Sequence, residues 1–173
     1  CGLNSIGIGS GGGVGKVTAE WLMTGHINQD IFSYDIKRFQ KFHSDLGFIK
    51  KRITETLGDL YGMHWPFKQH KTSRNIKTLP YHENLKSFGA CFGVSAGYER
   101  PMWFALDGEK SEYEYSYNYQ NWYPSAEYET NNTIKNVGLF DLTPFSKFEI
   151  KSEKAHEELQ RICTANIKNE IGK

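Results

Sequence analysis

The chain is poor in cysteine and long apolar runs, and neither sign of charge dominates. Its 3 cysteines, Cys1, Cys91 and Cys163, are an odd number at wide spacing, which builds neither a disulfide framework nor a zinc cluster and suits a reducing compartment. No apolar stretch approaches the roughly 20 residues a membrane-spanning helix needs. Lys and Arg total 21 against 20 for Asp and Glu, so the formal charge of +1 offers no field to recruit nucleic acid or an anionic membrane. What is plentiful is aromatic: 10 Tyr, 11 Phe and 4 Trp in 173 residues can fill a core, which argues against disorder. The length allows one compact domain or two small ones.

The chain opens on Cys1-Gly2-Leu3-Asn4 without an initiator Met, a charged leader or an apolar signal core, and closes just after a helix-like pattern. The expectation is a window of a longer polypeptide. Along it, Ser5-Ile6-Gly7-Ile8 reads as a short strand running into a glycine turn at residues 9–15. A helix follows with Val14, Val17, Trp21 and Leu22 on one face and Gly25 as its stop. Leu46, Ile49, Ile53, Leu57 and Leu60 form the apolar stripe of a second helix that ends near Gly62. Residues 64–80 read as a long basic loop, residues 82–88 as a short helix and residues 90–98 as a strand. Tyr113, Tyr115, Tyr117 and Tyr119 alternate with polar residues as a strand would. Tyr123-Pro124-Ser125 opens a helix running to about Val137. Residues 139–142 and 147–150 read as two last strands, and Ser152 caps a final helix that turns Ala155, Leu159 and Ile162 inward. The fold class is therefore α+β.

A glycine-rich turn before a helix suits an anionic ligand, because the backbone can approach closely and the first helical N–H groups are unpaired. A P-loop is excluded: Gly15-Lys16 is followed by Val17 instead of Ser or Thr, and Ser10 stands where the first Gly belongs. Gly7, Gly9 and Gly12 satisfy G-x-G-x-x-G, yet scarcely any strand precedes them and no βαβ unit ending in an acid follows. A purely structural turn stands beside these readings.

The six histidines, His26, His43, His64, His70, His82 and His156, show no spacing that sets two ligands on one helical face, so no metal site is expected. Cys91 reads as a small buried hydrophobe. Lys68, His70, Lys71, Arg74 and Lys77 read as a solvated loop face, with polyanion contact as the alternative. Tyr98-Glu99-Arg100 with Trp103 and Phe104 reads as a structural junction, with a ligand wall as the alternative.

Four stretches carry a resemblance in register. Gly2-Leu3-Asn4-Ser5-Ile6-Gly7-Ile8, Gly11-Gly12-Gly13-Val14-Gly15 and Glu20-Trp21-Leu22-Met23-Thr24-Gly25 resemble the last FAD-binding segment of the dimethylglycine and sarcosine dehydrogenases, in the D-amino-acid-oxidase-like superfamily. Asp35-Ile36-Lys37-Arg38-Phe39 is similar to the stretch leaving the flavin domain, and Gly97-Tyr98-Glu99-Arg100-Pro101-Met102-Trp103-Phe104 to a sequence of the central connecting domain. Asn121-Trp122-Tyr123 and residues 137–148 are similar to the entry of the folate-binding, aminomethyltransferase-like domain.

The resemblance implies three pieces: residues 1–32 closing an FAD domain, 33–116 a connecting domain, and 117–173 the start of a folate-type domain. It implies FAD as cofactor, bound through the backbone of Gly11, Gly12, Gly13, Val14 and Gly15, and tetrahydrofolate as acceptor of a one-carbon unit. The implied substrate is an N-methylated amino acid such as dimethylglycine or sarcosine, demethylated by hydride transfer to flavin. In simpler sarcosine oxidases a Lys near this loop holds the substrate carboxylate; Gly9 stands there, so that anchor and every catalytic residue are expected outside these 173 residues. The implied partner is the rest of the polypeptide, with no nucleic acid and no membrane, in the cytoplasm or, in a eukaryote, the mitochondrial matrix. A non-catalytic regulatory relative of the same architecture and a folate-dependent aminomethyltransferase are the alternatives.

Overall fold

A computed structural model of the chain describes Leu3 and residues 5–170, so Cys1, Gly2 and Asn4 of the opening motif lie outside the described residues. The chain divides into two compact units, Cys1–Ile76 and Lys77–Lys173.

The first unit is helical. Helix α1 spans Gly7–Thr24 and ends at Gly25, whose φ of 74° lets its N–H reach Trp21 O at 2.8 Å. That left-handed stop is the one foreseen from the sequence. Its beginning is not. In place of a strand and a turn, residues 7–15 are continuous helix. The physical reason is pairing. A strand at residues 5–8 needs a neighbour, and the one sheet among the described residues belongs to the second unit. Helical bonds therefore take up the backbone polar groups, although each glycine weakens the helix by roughly 0.5–1 kcal/mol relative to alanine. Three single 3-10 turns, Phe32–Tyr34, Ile36–Arg38 and Lys41–Ser44, lead into α2, Leu46–Asp59. The Asp45 carboxylate starts α2 by accepting the Phe48 N–H at 2.8 Å.

The second unit holds the core. Helix α3 (His82–Ser87) precedes β1 (Ala90–Ser95) and β2 (Tyr98–Phe104), an antiparallel hairpin with a bulge between Cys91 and Phe92. Its two-residue turn, Ala96-Gly97, has positive φ at both positions, as the twist of a tight hairpin demands. Helix α4 (Trp122–Lys135) packs on β2, and α5 (Ala155–Ile162) closes the unit. Leu79, Ala90, Cys91 and Trp103 are buried together with the polar His82, Glu99, Gln120 and Ser125. The outer edge of β2 is engaged at two donors: Glu99 N–H reaches Lys77 O, and Phe104 N–H reaches the Glu129 carboxylate, each at 2.8 Å.

The α+β content agrees with the expectation, but three expected strands do not form. Residues 113–119, 139–142 and 147–150 are irregular, for want of a neighbouring strand to bond with. The last helix begins at Ala155, and Ser152 Oγ accepts the Lys154 N–H at 3.2 Å just before it. Leu159 is half-buried, whereas Ile162 is exposed rather than turned inward.

Candidate functional site

The glycine segment is where the sequence places cofactor binding. In a helix each N–H bonds four residues back, and Ser10 N–H already reaches Ile6 O at 3.0 Å. The amides of Gly11, Gly12, Gly13, Val14 and Gly15 are therefore engaged inside α1. The N–H groups without an acceptor in the helix belong to Gly7, Ile8 and Gly9. This end fits an electron-rich group. Ile6 supplies no side-chain cap, the first turn carries no acid, and a Cβ added at Gly9 would meet nothing within 4 Å. Lys16 points along the helix toward Glu20 at 3.7 Å and remains largely exposed.

The basic loop is not simply solvated. It is tied to one face of α2 by a polar cluster that periodicity does not reveal. The Glu55 carboxylate accepts the N–H groups of Lys71 (2.6 Å) and Thr72 (2.9 Å) and the Thr72 hydroxyl. Burial by itself would raise the Glu55 pKa, but these bonds outweigh it and hold the carboxyl at about 2. Arg52 donates to Thr72 O and Ser73 O. Asp59 accepts from Lys68 Nζ at 2.6 Å, and Arg74 donates to His70 O at 3.1 Å. His70 Nδ1 is shielded from water, lacks a hydrogen-bond partner, and lies 3.6 Å from an Asp59 oxygen and 3.9 Å from a Glu55 oxygen. Histidine spacing alone does not reveal this group. The signal was Glu55 and Asp59 one helical turn apart, with a histidine in the loop that follows.

Upstream of α2, His43 sits among Phe39, Phe42 and Phe48. Burial, with Arg52 and Arg38 nearby, holds its pKa below the usual 6.5, and its Nδ1 accepts the Gln40 N–H at 2.8 Å. In the second unit, the Arg100 guanidinium lies over the Phe145 ring, 5.0 Å from its centre, and Trp103 meets Tyr113 edge-on. Asp141 accepts the Thr143 N–H at 2.9 Å. The hydroxyl and N–H of Thr143 keep its carboxyl below the usual range, with Arg100 and Lys147 adding to the effect. Cys91 is buried, as its apolar neighbours implied.

Two known domain types cover most of the chain. Residues 24–78 match the FAD dependent oxidoreductase central domain, and residues 81–173 match the GCVT N-terminal domain. The class so defined is an FAD-dependent oxidoreductase module continuous with an aminomethyltransferase-type one. A 4-methylaminobutanoate oxidase (formaldehyde-forming) from Paenarthrobacter nicotinovorans is 40% identical over 99% of this chain and 21% of its own length. The mitochondrial pyruvate dehydrogenase phosphatase regulatory subunit of Mus musculus is 30% identical over 99% of the chain and 20% of itself. The mitochondrial dimethylglycine dehydrogenase of Rattus norvegicus is 27% identical over 97% and 20%. The chain belongs to the dimethylglycine and sarcosine dehydrogenase family. It spans about a fifth of the length of these curated relatives. The junction between the two domain matches falls beside the boundary of the compact units at Ile76 and Lys77, and residue 117 lies inside the second match.

Proposed function

We propose that this chain is the part of an FAD-dependent N-demethylating oxidoreductase in which the flavin domain ends and passes through a connecting domain into a folate-type domain. The observation that carries the reading is the order of its two domain matches, an oxidoreductase central domain running into a GCVT domain with two residues between them. The substrate class is a small N-methylated amino acid. Dimethylglycine and sarcosine are the first choices, and 4-methylaminobutanoate joins them because the oxidase named for it shares 40% identity. A one-carbon unit passed to tetrahydrofolate belongs to the same proposal, as does a soluble setting, which is the matrix in a mitochondriate cell. Among the described residues no helix is long and apolar enough to cross a membrane.

Bound FAD would supply the acceptor for the hydride lost from the N-methyl carbon. The role of this chain is electrostatic. The amides of Gly7, Ile8 and Gly9, with the dipole of α1 behind them, stabilise negative charge at the start of the helix. Gly11, Gly12, Gly13 and Gly15 contribute by having no side chain, which leaves α1 open to close approach; Val14 is the one residue of that segment with bulk. The partner we propose is the rest of a longer polypeptide, lying against the exposed apolar residues of both units.

The test uses the full open reading frame. A yellow, flavin-loaded protein that bleaches anaerobically with dimethylglycine, sarcosine or 4-methylaminobutanoate supports the reading. Flavin that none of the three bleaches overturns the substrate class. That result would favour the second reading, a regulatory relative, which the 30% identity to a phosphatase regulatory subunit over 99% of this chain brings forward.

A further inference from the structure

We propose that Glu55, Asp59 and His70 bind one divalent transition-metal ion of the Zn2+ type. Glu55 and Asp59 stand at i and i+4 on α2, so their carboxylates share one helical face. The loop that follows returns His70 to that face. One ligand atom from each residue lies within 4.8 Å of the other two. His70 Nδ1 is 3.6 Å from Asp59 Oδ2 and 3.9 Å from Glu55 Oε1.

These distances decide what Nδ1 is doing. They are too long for hydrogen bonds from a ring N–H, and Nδ1 makes none. They are close to the separation of about 3.4 Å expected of two ligand atoms that each lie roughly 2.1 Å from one tetrahedral ion. Small rotations of the three side chains would close the remainder. One imidazole and two carboxylates form a mixed nitrogen and oxygen set that suits Zn2+ better than Mg2+ or Ca2+, which favour oxygen alone.

The surroundings hold the ligands as a metal site requires. Glu55 is oriented by the N–H groups of Lys71 and Thr72. Lys68 grips Asp59 through Oδ1 and leaves Oδ2 facing the histidine. Outer hydrogen bonds of this kind fix ligating carboxylates and tune their affinity. The side chains are 15%, 30% and 43% exposed for Glu55, Asp59 and His70, so the cluster lies near the surface, and entry of an ion requires the His70 ring to turn its shielded Nδ1 outward. Bound there, the ion would staple the 68–74 loop to α2 and stabilise the first unit by mass action. Its role is structural and independent of flavin chemistry.

Zinc titration of the EDTA-stripped full chain tests this, with a chelating dye as competitor and circular dichroism as the check on folding. The expected result is one saturable Zn2+, a rise in melting temperature, and visible d–d absorption when Co2+ replaces it. His70→Gln and Asp59→Asn should each weaken binding about 10-fold or more, whereas His64→Gln should not. Nuclear magnetic resonance of the ring nitrogens requires no variant: Zn2+ should shift Nδ1 of His70. Absence of saturable uptake, uptake unchanged in His70→Gln and Asp59→Asn, or a shift confined to other histidines would each overturn the site.

Discussion

At the scale of the residue, two positions carry consequences that a melt can read. Ala96 sits in the hairpin turn at φ 49°, a conformation in which an L side chain is strained and Gly or Asn is at ease. Ala96→Asn should therefore raise stability by about 0.5–1 kcal/mol in a denaturant titration; a loss would mean that the turn adopts another geometry. His43 links stability to pH. Its folded pKa lies below 6.5, so the unfolded chain binds the proton more readily. The neutral ring contributes stability that is complete above the unfolded value and is lost as pH falls through the folded one. Melting temperatures taken from about pH 7.5 down to about pH 5 should fall less steeply in His43→Phe than in the wild type. Equal slopes would contradict the burial of this ring. Both residues were visible in the sequence, but their roles were not. A positive φ and a depressed pKa come from the surrounding backbone and from burial, which composition does not encode.

At the scale of the element, local signals read well and paired ones read badly. The stop at Gly25, the helix over Leu46–Asp59, the short helix over His82–Ser87 and the helix over Trp122–Lys135 are each specified by residues within one turn of their ends or by their own periodicity. The glycine run misled because local propensity disfavours helix at every glycine, whereas the alternative strand had nothing to pair with. Alternating tyrosines at residues 113–119 misled for the same reason. A period of two describes a strand only when another strand lies within hydrogen-bonding reach. On α2 the foreseen apolar stripe, with Leu46, Ile53, Leu57 and Leu60, stays exposed. The opposite polar face receives the loop through Arg52 and Glu55. The glycines of α1 yield a test. A Cβ at Gly12 or Gly13 meets nothing within 4 Å, so Gly12→Ala and Gly13→Ala should each strengthen the helix by about 0.5–1 kcal/mol. Circular dichroism should record more helix in both variants. If these positions lie against flavin in the full-length protein, the same changes should loosen flavin retention there.

At the scale of the whole molecule, surface is the dominant fact. A compact monomer of 19.9 kDa exposes about 8,700 Å², and two separate globules of half that mass would together expose about 10,400 Å². This chain exposes 14236 Å². Large apolar side chains are part of it: Ile8, Leu22, Met23, Val137, Leu139 and Phe148 are each more than four-fifths exposed. Soluble monomers rarely keep so much apolar surface uncovered. The chain by itself should therefore enhance anilinonaphthalene sulfonate fluorescence strongly in native buffer, and the full-length protein should do so far less per unit mass. Weak dye binding by both would remove the argument that a further part of the polypeptide covers these residues. The family was legible from four motifs, because motif order survives where packing cannot be inferred. The cluster on α2 is not legible in the sequence, because the three residues meet only after a loop has folded back.

The two acceptors on the outer side of β2 have a consequence for storage and handling. Sheets of separate molecules fuse by pairing unsatisfied strand borders, and a carbonyl from Lys77 and a carboxylate from Glu129 already occupy donors on this one. By occupying the Phe104 N–H, the Glu129 carboxylate should hinder pairing of this border with a second strand. Glu129→Ala should shorten the lag before thioflavin T fluorescence rises on prolonged incubation, with little change in the secondary structure measured at the outset. An unchanged lag would mean that growth, where it occurs, begins from another part of the chain.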